Sequence, residues 1–155
     1  MTTLVLVRHA KSDWGSPARD DHERPLNARG LRDAPVLAAR VAGRDLRLDA
    51  ILASTAVRAR TTAEFFGAAL GLEPELDADL YGAPASSLLA AATTRGVDAI
   101  MVVAHDPGMT VLAERLSGGG IGHMPTCAVA TFHWATGDWD VASATDPDRW
   151  DFDAP

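Results

Sequence analysis

The sequence predicts an α/β fold: a three-layer αβα sandwich around a largely parallel sheet, with at least one antiparallel strand near the C-terminus. Three observations carry that prediction. Leu4-Val5-Leu6-Val7, Ala50-Ile51-Leu52-Ala53 and Ala99-Ile100-Met101-Val102-Val103 are short apolar runs of the kind that form buried strands. Longer segments with helical spacing separate them, and strands alternating with helices favour parallel pairing with helices on both faces. The chain has 155 residues and shows neither an internal repeat nor a long linker, so a single domain over 1–155 is expected.

Each element has a local reason. After the first strand a polar loop runs from Ala10 to Pro25. Asn27 reads as an N-cap, Leu31, Ala34, Leu37, Ala38 and Val41 share one helical face, and Gly43 stands past the end. Ala56 to Leu70 predicts a second helix closed by Gly71, with Phe65 and Phe66 as core bulk. A shorter helix is expected over Ala85 to Thr94. Asp106-Pro107 supplies an N-cap and a proline at the first helical position of a helix ending near Gly118. Ala128 to Trp134 and Trp139 to Ala142 predict a terminal hairpin around Gly137-Asp138. Residues 145–155 read as an acidic, solvated tail that Trp150 and Phe152 could anchor.

Composition narrows the function. With 21 acidic against 14 basic residues the net charge is −7, which disfavours a nucleic-acid binder because phosphate chains need a basic face. The charge is uneven: residues 1–60 carry a net +4, the rest −11. One cysteine, Cys127, excludes an internal disulfide and a cysteine-based zinc cluster, and inside an apolar strand it reads as an inert core thiol. No apolar run approaches a membrane span, and Arg8, His9 and Lys11 interrupt the N-terminal run too early for a signal peptide. A cytoplasmic protein with no membrane partner is the expectation.

The chemistry gathers at strand ends. The first strand ends in Arg8-His9, and the second in Ser54-Thr55 with Arg58 in the next helical turn. The third ends in His105 before a helix N-terminus. Parallel α/β sheets bind ligands beyond the carboxyl ends of their strands. Two arginines, two histidines and two helix N-termini brought to one edge describe an anion site, and guanidinium forks suit phosphate.

These residues carry a family resemblance. Leu6-Val7-Arg8-His9-Ala10 resembles the Arg-His-Gly signature of the histidine phosphatase superfamily, which also contains the cofactor-dependent phosphoglycerate mutases. Ser54-Thr55-Ala56-Val57-Arg58-Ala59-Arg60-Thr61-Thr62-Ala63 resembles its second motif, and Val103-Ala104-His105-Asp106-Pro107-Gly108 its third. The flanks Lys11-Ser12-Asp13-Trp14, Arg24-Pro25-Leu26-Asn27-Ala28-Arg29-Gly30 and Met124-Pro125-Thr126-Cys127-Ala128-Val129-Ala130 are similar to SixA-type phosphohistidine phosphatases. The resemblance runs from residue 4 to about residue 140. Ala10, Ala104 and Asp106 depart from it, standing where Gly, Gly and Asn are usual.

The resemblance implies a phosphoglycerate mutase-like fold and a phosphatase with no cofactor and no metal, in which the arginines supply the positive charge. His9 would be the nucleophile, forming a phosphohistidine that water hydrolyses. Arg8, Arg58 and a protonated or hydrogen-bonding His105 would surround the phosphoryl oxygens, with Ser12 a candidate donor. Lys11, Asp13 and Trp14 are candidates for the substrate lip. Activity would need neutral His9, at or above a pH of ~6.5.

Many relatives place a Glu after the second helix as general acid. The corresponding stretch here, Leu76 to Gly82, has none. A phosphorylated imidazole leaves without strong acid help, which favours a phosphohistidine on a signalling or carrier protein. Asp13, Asp20, Asp21 and Asp79 are candidate substitutes. The alternatives are a phosphatase for small phosphate esters or nucleotides and a non-catalytic phosphohistidine-binding module. A monomer is plausible. Arg24 and Arg29 read as partners of Asp20, Asp21 or Asp33; His22, His123 and His133 lack metal-ligand spacing and read as surface or loop residues.

Overall fold

The computed structural model describes residues 1–17 and 19–155. Its strands are β1 (Thr2–Arg8), β2 (Ala50–Ser54), β3 (Glu75–Asp77), β4 (Ala99–Ala104), β5 (Val129–Trp134) and β6 (Arg149–Asp153). Its helices are α1 (Ala28–Ala42), α2 (Val57–Leu70), α3 (Ala85–Thr93), α4 (Gly108–Leu116) and α5 (Trp139–Ala144), with short 3₁₀ turns at Asp21–Glu23 and Ala78–Leu80. The strands form one sheet in the order β3-β2-β4-β1-β5-β6. β3-β2, β2-β4 and β4-β1 pair in parallel, and β1-β5 and β5-β6 pair antiparallel. This is the phosphoglycerate mutase-like α/β fold.

Alternation along the buried strands sorts the layers, because successive side chains leave opposite faces of a sheet. Leu4, Leu6, Ile100 and Val102 pack with Leu88 and Leu89 of α3, Met109 and Leu112 of α4 and Ala142 of α5. Val5, Val7, Met101 and Val103 pack with Leu37 and Val41 of α1 and Ala63 and Phe66 of α2. The expected caps are in place. Asn27 accepts from Gly30 N at 2.9 Å, and Gly71 ends α2 at φ +70°, a left-handed conformation that glycine adopts without a steric penalty.

Four local features differ from expectation. The edge strand β3 was not anticipated, being three residues long and carrying two carboxylates. α4 begins at Gly108, one residue later than the predicted proline start, although the Asp106 carboxylate still accepts from Thr110 N at 2.9 Å. The predicted hairpin does not form. Trp139–Ala144 is helix α5, capped by Asp138, and β5 instead pairs with β6. Within the expected acidic tail, Arg149–Asp153 form strand β6, most of whose residues remain exposed. Asp151 meets Arg44, just past α1, at 2.7 Å and Asp153 meets Arg40 of α1 at 3.2 Å, while Trp150 and Phe152 lie in register with Phe132 and Ala130.

Candidate active site

Strand register assembles the site. Arg8 of β1 lies beside Ala104 of β4, so the next residues, His9 and His105, emerge together with ring centroids 5.2 Å apart. β2 follows the same edge, with Ala53 beside Val103, and Ser54 reaches His105 Nε2 at 2.7 Å. Arg58 enters from the first turn of α2. A cavity of about 230 Å³ opens here, lined by Arg8, His9, Arg58 and His105 and also by Lys11, Ser12 and Trp14. Asp13 does not border it: its carboxylate accepts from Gly15 N at 2.7 Å and lies 4.0 Å from Arg19.

His9 is held in one tautomer. Its Nδ1 lies 2.7 Å from the Ala10 carbonyl, which can only accept, so Nδ1 carries the proton and Nε2 keeps its lone pair. Burial lowers its pKa from 6.5 to about 3, against the raising effect of the Ala10 hydrogen bond and with help from nearby His105, Arg58 and Arg8. The ring is neutral across ordinary pH, which carries the acid limit for neutral His9 well below the expected value near 6.5. Thr62 fixes the loop behind it. Its hydroxyl accepts from Ala10 N at 3.0 Å and donates to the Arg58 carbonyl at 2.7 Å.

His105 is neutral as well, lowered to about 4 first by burial and then by Arg58. Of the two expected states, the lowered pKa disfavours the protonated ring. Ser54 Oγ accepts from Ala56 N at 3.3 Å and can give its own proton to His105 Nε2, an arrangement that puts the His105 proton on Nδ1.

Each arginine has an anchor. Arg8 donates to the Met124 carbonyl at 2.9 Å and lies 3.4 Å from Asp106 Oδ2. Arg58 donates to the Asp21 carbonyl at 2.7 Å and to Asp21 Oδ2 at 3.0 Å. Arg8 Nε, Arg58 Nε and His105 Nδ1 are buried and have no hydrogen-bond partner among the described residues. Unmade hydrogen bonds of buried donors are costly, and all three residues line the cavity.

Two residues stand differently in the structure from their sequence readings, Asp21 as a candidate general acid and Arg24 as an ion-pair partner alone. Asp21 accepts from Arg24 Nε at 3.0 Å and from the Tyr81 hydroxyl at 2.5 Å, in addition to Arg58. The Tyr81 hydrogen bond, with those from the arginines, holds its carboxyl well below the usual carboxylate range, so it is an ionised anchor and no proton donor. Arg24 is indeed the partner of Asp21, yet it also borders the cavity. It donates to Ser12 Oγ at 2.5 Å and stacks its guanidinium 3.5 Å from the centre of the Trp14 ring. The signal in the sequence was the loop Asp20-Asp21-His22-Glu23-Arg24-Pro25, whose charges find partners only after folding. Arg29 pairs with Asp33 at 3.4 Å as expected.

Comparison with known proteins agrees with this geometry. The family model described as histidine phosphatase superfamily (branch 1) matches residues 4–82. A structure from Agrobacterium tumefaciens bearing the name phosphohistidine phosphatase SixA superposes with a TM-score of 0.82 and 30% identity, covering 99% of each chain. One of the same name from Nakamurella multipartitia gives 0.86 and 26%, covering 99% of this chain and 96% of that one. An uncharacterised protein of Mycobacterium tuberculosis is 34% identical over 109 residues, covering 69% of this chain and 67% of its own length. The fold that brings Arg8, His9, Arg58 and His105 to one cavity is thus that of a phosphatase, and the chain belongs to branch 1 of the histidine phosphatase superfamily.

Proposed function

We propose that the chain, acting as a single domain, hydrolyses phosphohistidine on a protein substrate through a covalent phosphohistidine on His9, without a metal. The observation that carries this reading is the state of His9: Nδ1–H bound to a carbonyl, the ring neutral, and Nε2 left as the nucleophilic atom. The Nε2 lone pair attacks phosphorus as the substrate P–N bond breaks. The other ring nitrogen of the substrate imidazole takes a proton from solvent before the bond breaks, so the bonding pair leaves with a neutral imidazole. Water then attacks the same phosphorus, the P–Nε2 bond breaks, and inorganic phosphate and a neutral His9 result. Arg8, Arg58 and His105 Nδ1–H supply donors to the oxygens on which charge spreads in the loose transition state.

The leaving group supports a phosphoramidate. Asp106 is the carboxylate bordering the cavity, and its oxygens accept from Thr110 N and Thr110 Oγ1 at 2.9 and 2.8 Å and face Arg8. Asp21 is an ionised anchor, Asp13 turns to Gly15, and Asp79 sits in the exposed turn before Tyr81. None is placed to protonate an alkoxide, whereas an imidazole departs with a pKa near ~6.5. The Agrobacterium relative's name, phosphohistidine phosphatase, agrees with this choice.

The test measures phosphate release, in EDTA, from a phosphohistidine protein, p-nitrophenyl phosphate and a sugar phosphate. Fastest turnover of the first is expected, with an acid-labile phosphoenzyme trapped on the wild type and absent from His9→Ala. Turnover that requires added metal, or that survives His9→Ala, would defeat the mechanism. Fastest turnover of the sugar phosphate would defeat the substrate assignment and favour the ester reading.

A further inference from the structure

Trp14 is 72% exposed, an unusual position for a large aromatic ring, yet its surroundings are built. The segment before it is pinned to the start of α1 by Asn27 N to the Lys11 carbonyl at 3.0 Å and Asp13 N to the Pro25 carbonyl at 2.9 Å. Just after it, Gly15 N is held by the Asp13 carboxylate. Arg24 fixes the ring plane. Its guanidinium is tied by Nε to Asp21 and by Nη1 to Ser12, and its flat face covers the indole at 3.5 Å. A buried arginine committed on every side thus supports a tryptophan whose remaining surface is open to solvent and borders the cavity holding His9.

The reaction places its leaving group on that side. In-line attack by His9 Nε2 directs the departing group away from His9, toward solvent, and among the residues lining the cavity Trp14 is the exposed one. An indole with one face closed by a cation and the other free is a platform for a second flat ring. We propose that Trp14 is a specificity-determining residue: its open face stacks on the planar ring of the leaving group, which for a phosphohistidine substrate is the imidazole. This rests on the phosphatase reading above and adds a reason for preferring ring-bearing phosphoryl donors over open-chain ones. Ring stacking of this kind corresponds to about three- to tenfold in affinity.

The experiment compares wild type, Trp14→Ala and Trp14→Phe, as intact chains, on two pairs of substrates. The first pair is free phosphohistidine and phosphoramidate, which share a P–N bond but differ in the ring. The second is p-nitrophenyl phosphate and glycerol phosphate, which share a P–O bond and differ likewise. Trp14→Ala should raise KM about three- to tenfold for the ring-bearing member of each pair, with kcat little changed and the ringless member unaffected. Trp14→Phe should restore most of the difference. Equal losses on both members of a pair would show a merely structural role, and no change on either would show no contact; both overturn the proposal. If the wild type hydrolyses only the esters, the phosphohistidine assignment fails while the aryl–alkyl pair still decides the role of Trp14.

Discussion

Asp21 grips Arg58 from two sides, its backbone carbonyl receiving Nη1 at 2.7 Å and its carboxylate receiving Nη2 at 3.0 Å. The same carboxylate takes hydrogen bonds from Arg24 and Tyr81. One loop residue therefore sets the plane of an arginine that begins a helix on the far side of the cavity. Asp21→Asn keeps the backbone contact and the size of the side chain but loses the charge. It should lower kcat/KM about ten- to a hundredfold, since charge-assisted bonds contribute ~1.5–3 kcal/mol each and the arginines must be placed accurately. Steady-state kinetics beside a thermal melt would check this; a matching collapse of the fold would point to stability instead.

The two buried histidines make stability depend on pH. Folding lowers His9 to about 3 and His105 to about 4, while in the unfolded chain each titrates near 6.5. Between the folded and unfolded values the unfolded chain binds more protons, so acid favours unfolding. Their contribution is complete above a pH of about 6.5 and is lost as pH falls toward 3–4. Melting temperature should fall across this window, and His9→Gln should flatten the slope. Histidine ¹⁵N NMR of the free protein supplies the direct measurement: a His9 titration near 6.5 would contradict the neutral buried ring.

Asp106 places a carboxylate 3.4 Å from the Arg8 guanidinium, at the border of the phosphate cavity. It weakens the field that an incoming anion meets. Asp106→Asn retains an oxygen to cap Thr110 while removing the charge, so the fold should survive. Inhibition by vanadate or inorganic phosphate should tighten about three- to thirtyfold, in line with one unit charge close by in a partly solvated site. A weaker inhibition constant would mean that the ion pair orients Arg8 more than it competes with phosphate.

The last strand carries stability. Removing residues 146–155 would strip β6 from β5, uncover Phe132 and free Arg40 and Arg44 of their partners Asp153 and Asp151. The truncated chain should melt lower and aggregate, because β5 would become an open edge. Arg44→Ala alone should cost no more than ~1 kcal/mol, as exposed ion pairs do. An unchanged melting temperature after truncation would show that β6 is dispensable.

How far the sequence could be read follows from how local each signal is. β1, β2 and β4 announce themselves because strands buried on both faces are continuous apolar runs. Arg8, His9, Arg58 and His105 follow because they stand just past those runs. β3 and β6 carry alternating charges, and their pairing depends on neighbours distant in sequence: β6 reads as a tail until Arg40 of α1 and Arg44 just past it are known to lie against it. Trp139 looks like a strand residue, yet its indole donates to the Val97 carbonyl at 2.7 Å, a tertiary contact that stands with the helix. Asp21 is legible only as one of several loop acids, since what singles it out is the meeting of Arg24, Arg58 and Tyr81 in space.

β1 has β4 on one side and β5 on the other, and its register partners lie roughly a hundred residues further along the chain. The ribosome makes His9 well before the ring's neighbour His105 and the Cys127 N–H that secures the Arg8 and His9 carbonyls. An early-made strand that must be enclosed by late-made ones ties the setting of His9 to completion of the fold. A nascent chain, or one broken before β4 and β5, carries the His9 imidazole without its burial and without its neighbour His105. With His9 just past a strand in the middle of the sheet, the proposed chemistry depends on segments made long after it.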